Sequence, residues 1–290
     1  MRSLNVVGAG RVGRVLARLW SRAGVFEIRA VLCRRAAGAA EAVAFIGSGA
    51  PLTAIEELPS ARVWLIAVPD DVLEAAARAL ARSGVVHAGD VVFHPSGAQA
   101  SDALAPLRAA GARVAGVHPV KSFAEPEAAA ASFVGTWCGA EGDAEALRVL
   151  GPAFEAIGAR LFPVDLERKV LYHAAGVFGC NYLTALLELA LRCYEAAGVP
   201  RETAAAVLDP IARETVDNVF RLGTQGALTG PIARGDAGTV ARQLGALREW
   251  DADAAAAYRA LGAVACDLAE DRPGASERSI AAIRSLLFTE

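Results

Sequence analysis

The chain has 290 residues, 54% of them hydrophobic and 21% charged, with a formal net charge of -3. That length suits two domains, and so much apolar material excludes a disordered chain. No basic run is present, which argues against nucleic acid or an anionic membrane as partner. The N-terminal MRSLNVVGAG has an apolar part too short and too glycine-rich for a signal peptide. No stretch approaches ~18 uninterrupted apolar residues, so no membrane span is expected. Cys33, Cys138, Cys180, Cys193 and Cys266 are scattered without metal-type spacing. They read as buried, reduced thiols of a cytoplasmic protein.

In chain order, a strand over Leu4–Val7 runs into Gly8-Ala9-Gly10-Arg11-Val12-Gly13 and then a helix over Val12–Arg22. Strand, GxGxxG and helix in that order form a dinucleotide fingerprint. The first glycine allows a tight turn, the second lets a pyrophosphate approach, and the third lets helix and strand pack closely. The helix N-terminus then offers free N–H groups to the phosphates. All six residues are expected to bind cofactor. The next strand, Glu27–Leu32, ends in Cys33-Arg34-Arg35. An NAD site places an acid there to hold the ribose 2′-hydroxyl. Two arginines suit the 2′-phosphate of NADP instead. A helix over Ala37–Phe45 follows. The strand Val63–Val68 reads VWLIAV, a continuous apolar run of the kind buried in a parallel sheet. Val68 and Pro69 at its end are expected to line the cofactor.

The alternation continues with helices over Asp71–Arg82, Ser101–Ala109 and Ala144–Ala156. Strands are read at Asp90–Phe93, Arg113–Val117, Gly135–Cys138 and Arg160–Pro163. Such alternation predicts a doubly wound parallel sheet of Rossmann type, an α/β fold. Two post-strand loops carry polar groups: His94-Pro95-Ser96-Gly97 and His118-Pro119-Val120-Lys121. Ligands bind beyond the carboxyl ends of strands in open α/β sheets. His94, Ser96, His118 and Lys121 are therefore candidate substrate contacts.

From about Asp165 the strand signal stops. Helical stretches cover Glu167–Ala197, Arg201–Leu222, Ala237–Trp250, Asp253–Ala269 and Ser276–Phe288, with Asp236, Asp251 and Ser276 as plausible caps. The division expected is a Rossmann domain over 1–164 and an all-helical substrate and dimerisation domain over 165–290. Among 29 basic side chains only Lys121 and Lys169 are lysines. In so arginine-rich a chain, a retained lysine marks a position that needs a compact, titratable ammonium. A nicotinamide enzyme needs a proton donor beside the carbon that receives hydride. Lys169, with His173 four residues on, is the leading catalytic candidate. Gly176 and Cys180 continue the same narrow helix face. Asn181 and Arg234 are weaker substrate contacts, Arg234 for a carboxylate.

The signatures VVGAGRVG, HPSG, GVHPVKSF, KVLYHAAGVFGCNYL and LTGPIARGD span most of the chain. With them the chain resembles a bacterial family that joins a Rossmann-like N-terminal domain to a helical C-terminal domain of unknown function. Its architecture is similar to pyrroline-5-carboxylate reductase, ketopantoate reductase, 6-phosphogluconate dehydrogenase and 3-hydroxyisobutyrate dehydrogenase. Several of those carry a lysine and, four residues on, an asparagine in the first interdomain helix. The lysine matches Lys169, but His173 occupies the asparagine position. Some members of the close family resemble alternative ketopantoate reductases, so the likeness implies NADP-dependent hydride transfer to a small oxo acid. It also implies a homodimer. GVHP is similar to prephenate dehydrogenases as well. The competing reading is an NADPH-binding or sensing module without turnover.

Overall fold

The computed structural model describes residues 2–270 and 275–288. The chain forms two compact units, Met1–Asn181 and Tyr182–Glu290. In the first, strands β1 (Arg2–Val7), β2 (Phe26–Leu32), β3 (Ala50–Leu52), β4 (Val63–Ile66), β5 (Val91–His94), β6 (Arg113–Pro119), β7 (Trp137–Gly142) and β8 (Arg160–Pro163) form one sheet. Its order is β3-β2-β1-β4-β5-β6-β7-β8. Helices α1 (Arg11–Arg22), α2 (Ala36–Ile46), α3 (Asp70–Ser83), α4 (Ala105–Ala109), α5 (Pro126–Ala131) and α6 (Ala144–Glu155) fill the connections. The first six strands are parallel and follow the Rossmann order, with the chain direction switching between β1 and β4.

Two expectations change. β7 lies antiparallel to β6, and β8 runs parallel to β7, so the sheet is mixed. An apolar strand reads the same in either direction, so sequence carries no sign of this. β3 and α5 were not expected either; three and six residues are too few to leave a periodic pattern. Apolar residues cover both faces. Trp20, Phe26, Phe93 and Phe154 interlock edge-to-face on one side, and Trp20 Nε1 donates to the Ala153 carbonyl at 2.8 Å. Trp64, Leu73, Leu80 and Leu107 fill the other.

Helix α7 (Lys169–Gly176) completes the first unit, followed by a widened turn at Val177–Tyr182. The units divide at 181/182 rather than 164/165, because α7 buries Lys169 against the sheet. The second unit holds α8 (Leu183–Ala196), α9 (Arg201–Ala227), α10 (Gly230–Ala233), α11 (Ala237–Trp250), α12 (Ala252–Glu270) and α13 (Glu277–Phe288). The expected helix Glu167–Ala197 is thus two helices and a wide turn. The expected caps form: Asp236 accepts from Thr239 N, Asp251 from Ala254 N, and Ser276 from Ser279 N. Ile232, Val240, Cys266, Ile280, Ile283 and Leu287 make this unit's core. The run Leu166–Ala196, mean hydropathy 1.4, has the length and apolar character of a membrane-crossing helix. Its start is fixed in the first unit by the buried Lys169 side chain. No disulfide forms among the described residues. Cys138 and Cys266 are buried as expected, whereas Cys180 is exposed.

Candidate active site

At the β1/β4 switch point a cleft of about 710 Å³ opens, lined by Gly8, Ala9, Gly10, Arg34, Arg35, Val68 and Pro69 among others. The three fingerprint glycines have different neighbours. Gly8 turns the chain at φ 78°, and a Cβ there would lie 2.7 Å from Val68 Cγ1. A Cβ on Gly13 would lie 2.7 Å from that of Ala67. Around Gly10 a Cβ meets no atom within 4 Å, so its open side is space in the cleft. Helix α1 begins there with no side-chain cap and no acid in its first turn. Its first N–H groups therefore carry no side-chain cap or counter-charge, as a pyrophosphate site requires. Arg34 and Arg35 stand exposed on the rim without an ion-pair partner among the described residues. These features fit a dinucleotide with a 2′-phosphate. Of the expected residues, Arg11, Val12 and Gly13 do not line the cleft. Arg11 is exposed, Val12 packs on the core, and Gly13 seats helix against strand. Arg14, Thr53 and Asp71 line it unannounced.

Strands β5, β6 and β7 place His94, Gly116 and Glu141 side by side in one row. The missing side chain of Gly116 leaves a socket, which the Lys169 ammonium fills from α7. A methyl at Gly116 would overlap both Lys169 Nζ and Glu141 Oε1. Lys169 Nζ donates to Glu141 Oε1 at 2.6 Å, and both side chains are all but inaccessible. The same oxygen accepts from Ser101 N at 3.0 Å. Burial pulls the Lys169 pKa below its ordinary value, opposed by its bond to Glu141 and more weakly by Asp70 at the start of α3. Lys169 thus lies where the sequence pointed, but inside the protein and committed to a partner.

His94 is likewise fully buried. Its Nδ1 accepts from Ser96 N at 3.2 Å, and Nε2 lies 3.1 Å from the Ala100 carbonyl. That pairing requires the neutral Nε2–H tautomer. Burial, then the Lys169 charge, lowers the His94 pKa to about 3. Ser96 Oγ accepts from Gln99 N at 2.9 Å. The HPSG segment, read as a substrate loop, instead builds the turn that delivers Ser101 N to Glu141.

Two residues further along the same faces of β6 and β7, His118 pairs with Gly139. Here the glycine makes room for Tyr172, whose hydroxyl would lie 2.7 Å from a Cβ at Gly139. His118 Nδ1 is 2.8 Å from Tyr172 Oη, with the rings edge-on at 5.7 Å. His173 stands 6.0 Å from His118, centroid to centroid. Burial first, then His173 and Lys169, lowers the His118 pKa to about 4. Burial raises that of Tyr172 to about 12. His118, Tyr172 and His173 remain partly accessible. The structure therefore brings together Lys169, His173, His94, Ser96 and His118, and adds Glu141, Tyr172 and Ser101. Lys121 stands apart from this network in its bonding; its Nζ donates to the Ser132 carbonyl at 2.9 Å. Asn181 is exposed on the widened turn, and Arg234 ends α10 in the second unit.

Residues 2–119 match the family model described as a Rossmann-like domain. Residues 136–265 match that of a domain of unknown function, DUF2520. Comparison with curated proteins gives no match. Among solved structures, a candidate NADP oxidoreductase from Bacteroides fragilis is 20% identical over 93% of this chain and 98% of its own, with a TM-score of 0.74. Protein TM1727 from Thermotoga maritima is 24% identical over 92% and 98%, TM-score 0.71. Plasmodium falciparum pyrroline carboxylate reductase with NADP bound is 12% identical over 98% of both chains, TM-score 0.57. At these identities the likeness establishes the fold. The chain is a Rossmann-like domain joined to a DUF2520 domain.

Proposed function

We propose that the protein is an NADP-dependent oxidoreductase acting on a small oxo or hydroxy acid. The observation that carries this reading is the cleft at the strand switch point. Its wall is bare at Gly10, its helix end is uncapped, and Arg34 and Arg35, with no ion-pair partner among the described residues, stand on its rim. Gly8, Gly10 and the first turn of α1 would hold the pyrophosphate, and Arg34 and Arg35 the 2′-phosphate. A bound reduced nicotinamide supplies hydride to a carbonyl carbon. Adjacent strands lie about 4.8 Å apart. The polar groups at the ends of β5 and β6 are thus one and two strand spacings from β4, whose end borders the cleft.

The test is NADPH oxidation with a panel of 2-oxo acids, ketopantoate first, beside thermal melts with NADPH and NADH. Turnover of one panel member supports the reading. A melting shift with NADPH and no turnover would leave a binding or sensing module.

The partner proposed is a second copy of this chain, met through the helical unit. On α9, Val207, Ile211, Val216 and Phe220 are exposed, Phe220 at 86%, and Leu183 and Leu186 on α8 are exposed too. Apolar faces of this extent call for a cover. A Phe220→Asp variant that stays dimeric in light scattering would reject this face. A cytoplasmic setting goes with five cysteines and no disulfide.

A further inference from the structure

We infer that His118 exchanges the proton in the reaction proposed above, on which this inference rests, and that Tyr172 is its positioning residue. The Lys169–Glu141 pair then serves as fixed buried charge.

The argument begins with which groups are available. Lys169 is 1% exposed, and its ammonium is bonded to Glu141 in the socket over Gly116. Both nitrogens of His94 are engaged by backbone, and Ser96 Oγ caps a turn. His118 is different. It stands on a strand, is partly accessible, and has one nitrogen held and one without a hydrogen-bond partner among the described residues. A base oriented by a third group through its far nitrogen is the arrangement that acid–base catalysis uses. His173 is near but has no such orienting bond among the described residues.

Tyr172 is itself fixed. It follows Lys169 by three residues on α7 and so shares its face. Its hydroxyl end sits over Gly139, and its ring meets His118 on one side and Phe162, 6.0 Å away, on another. Gly116 and Gly139 are thus two sockets in one sheet, receiving two successive side chains of one helix face. Lys169 anchors the helix, and Tyr172 reaches His118.

The proton step balances as follows. As hydride reaches the carbonyl carbon, the substrate oxygen becomes negative. The His118 Nε2–H bond breaks and an O–H bond forms on substrate. The Tyr172 hydroxyl proton passes to Nδ1, so the imidazole is neutral before and after. On product release the Nδ1 proton returns to the Tyr172 oxygen and Nε2 takes a proton from solvent, which restores the starting tautomer. Oxidation of the hydroxy acid runs the same transfers in reverse. The charged and titratable groups around His118 are Lys169, Glu141, His94, His173 and Tyr172. Burial, then His173 and Lys169, hold its imidazole neutral near pH 7, where a relay from tyrosine supplies what an imidazolium would otherwise carry.

Two measurements decide. Long-range proton–nitrogen NMR of histidine-labelled protein reads the His118 tautomer without any substrate. The Nε2–H form is expected to predominate, and Tyr172→Phe to give a mixture. A predominant Nδ1–H form in the unmutated protein, or no change in Tyr172→Phe, overturns the assignment. With an active oxo acid, His118→Asn should lower kcat roughly a hundredfold or more at unchanged NADPH affinity. Tyr172→Phe should lower kcat about tenfold with KM held, and should remove the alkaline limb of the pH profile. His118→Asn retaining most of the rate overturns the proposal. So does a folded Lys169→Met that is inactive beside an active His118→Asn. If no oxo acid is turned over, the function proposed above fails, and the tautomer alone decides the His118–Tyr172 relation.

Discussion

Lys169 Nζ and Glu141 Oε1 lie 2.6 Å apart in a part of the first unit closed to solvent. The other carboxylate oxygen, Oε2, is buried with no hydrogen-bond partner among the described residues. Removing one member of a buried pair strands the other charge, at a cost of about 3–5 kcal/mol, whereas replacing both by apolar groups is often neutral. Lys169→Met and Glu141→Leu are each expected to lose that much in urea unfolding, and the double variant much less. Gly116→Ala should resemble the single variants, since its methyl takes the ammonium's place. Additive losses in the double variant would show that the two side chains do not act as a pair.

The fingerprint glycines should separate by phenotype. Gly10→Val adds a side chain to open cleft, so its melting temperature should hold while NADPH binding is lost. Gly13→Val drives a branched side chain into Ala67 and the Gly8 carbonyl, so it should melt lower by several degrees, a loss of about 1–3 kcal/mol for an overpacked contact. Calorimetry on folded Gly10→Val with unchanged NADPH affinity would mean that no pyrophosphate sits there.

Cofactor choice should follow Arg34 and Arg35. A hydrogen bond to a charged group contributes about 1.5–3 kcal/mol. Changing both to Ala is therefore expected to weaken NADPH binding roughly thirtyfold or more and leave NADH nearly unaffected, as titration calorimetry would read. Equal affinities for the two cofactors in the unmutated protein would remove the basis of the NADP assignment.

Acid should destabilise the fold through its histidines. Burial holds the pKa of His94 down to about 3 and that of His118 to about 4 in the folded chain, against the ordinary 6.5 of a free imidazole. Between those values the unfolded chain holds more protons, so stability is complete above about pH 6.5 and falls as the pH drops. Each histidine adds up to about 1.4 kcal/mol per pH unit in that window. Urea midpoints should fall from pH 7 to pH 5, and less steeply in His94→Asn. A midpoint that does not move would show that burial does not hold these rings neutral.

The cleft at the strand switch point was legible from sequence because each step is local. A strand, three glycines and a helix fix the turn, and the arginines follow at the next strand end. The strand order at the switch point also follows from alternation. Lys169 was marked by lysine scarcity, which found its position but not its surroundings. Its partner Glu141 lies 28 residues upstream, on a strand whose reversed direction no local pattern signals. Tyr172 had a usable sign, three residues after Lys169 on the same helix face. His94 was misjudged because an HP dipeptide after apolar residues reads as a loop, whereas His94 is the last residue of β5 and faces inward.

The matched sequence segments and the folded units have different borders. Strands β7 and β8 and helix α7 lie in the second matched segment, residues 136–265, yet fold into the first unit. The Lys169–Glu141 pair and its Gly116 socket thus lie on different matched segments. Glu141, Lys169 and Tyr172 travel on one segment; Gly116, His94 and His118 travel on the other. Neither half can be exchanged as a cassette without matching Gly116 to the Lys169–Glu141 pair across the seam. A fragment stopping at residue 119 would also leave β6 as a raw edge, open to pairing with its own kind. In recombination or in the design of truncated proteins, the smallest transferable piece therefore runs to the end of the first unit.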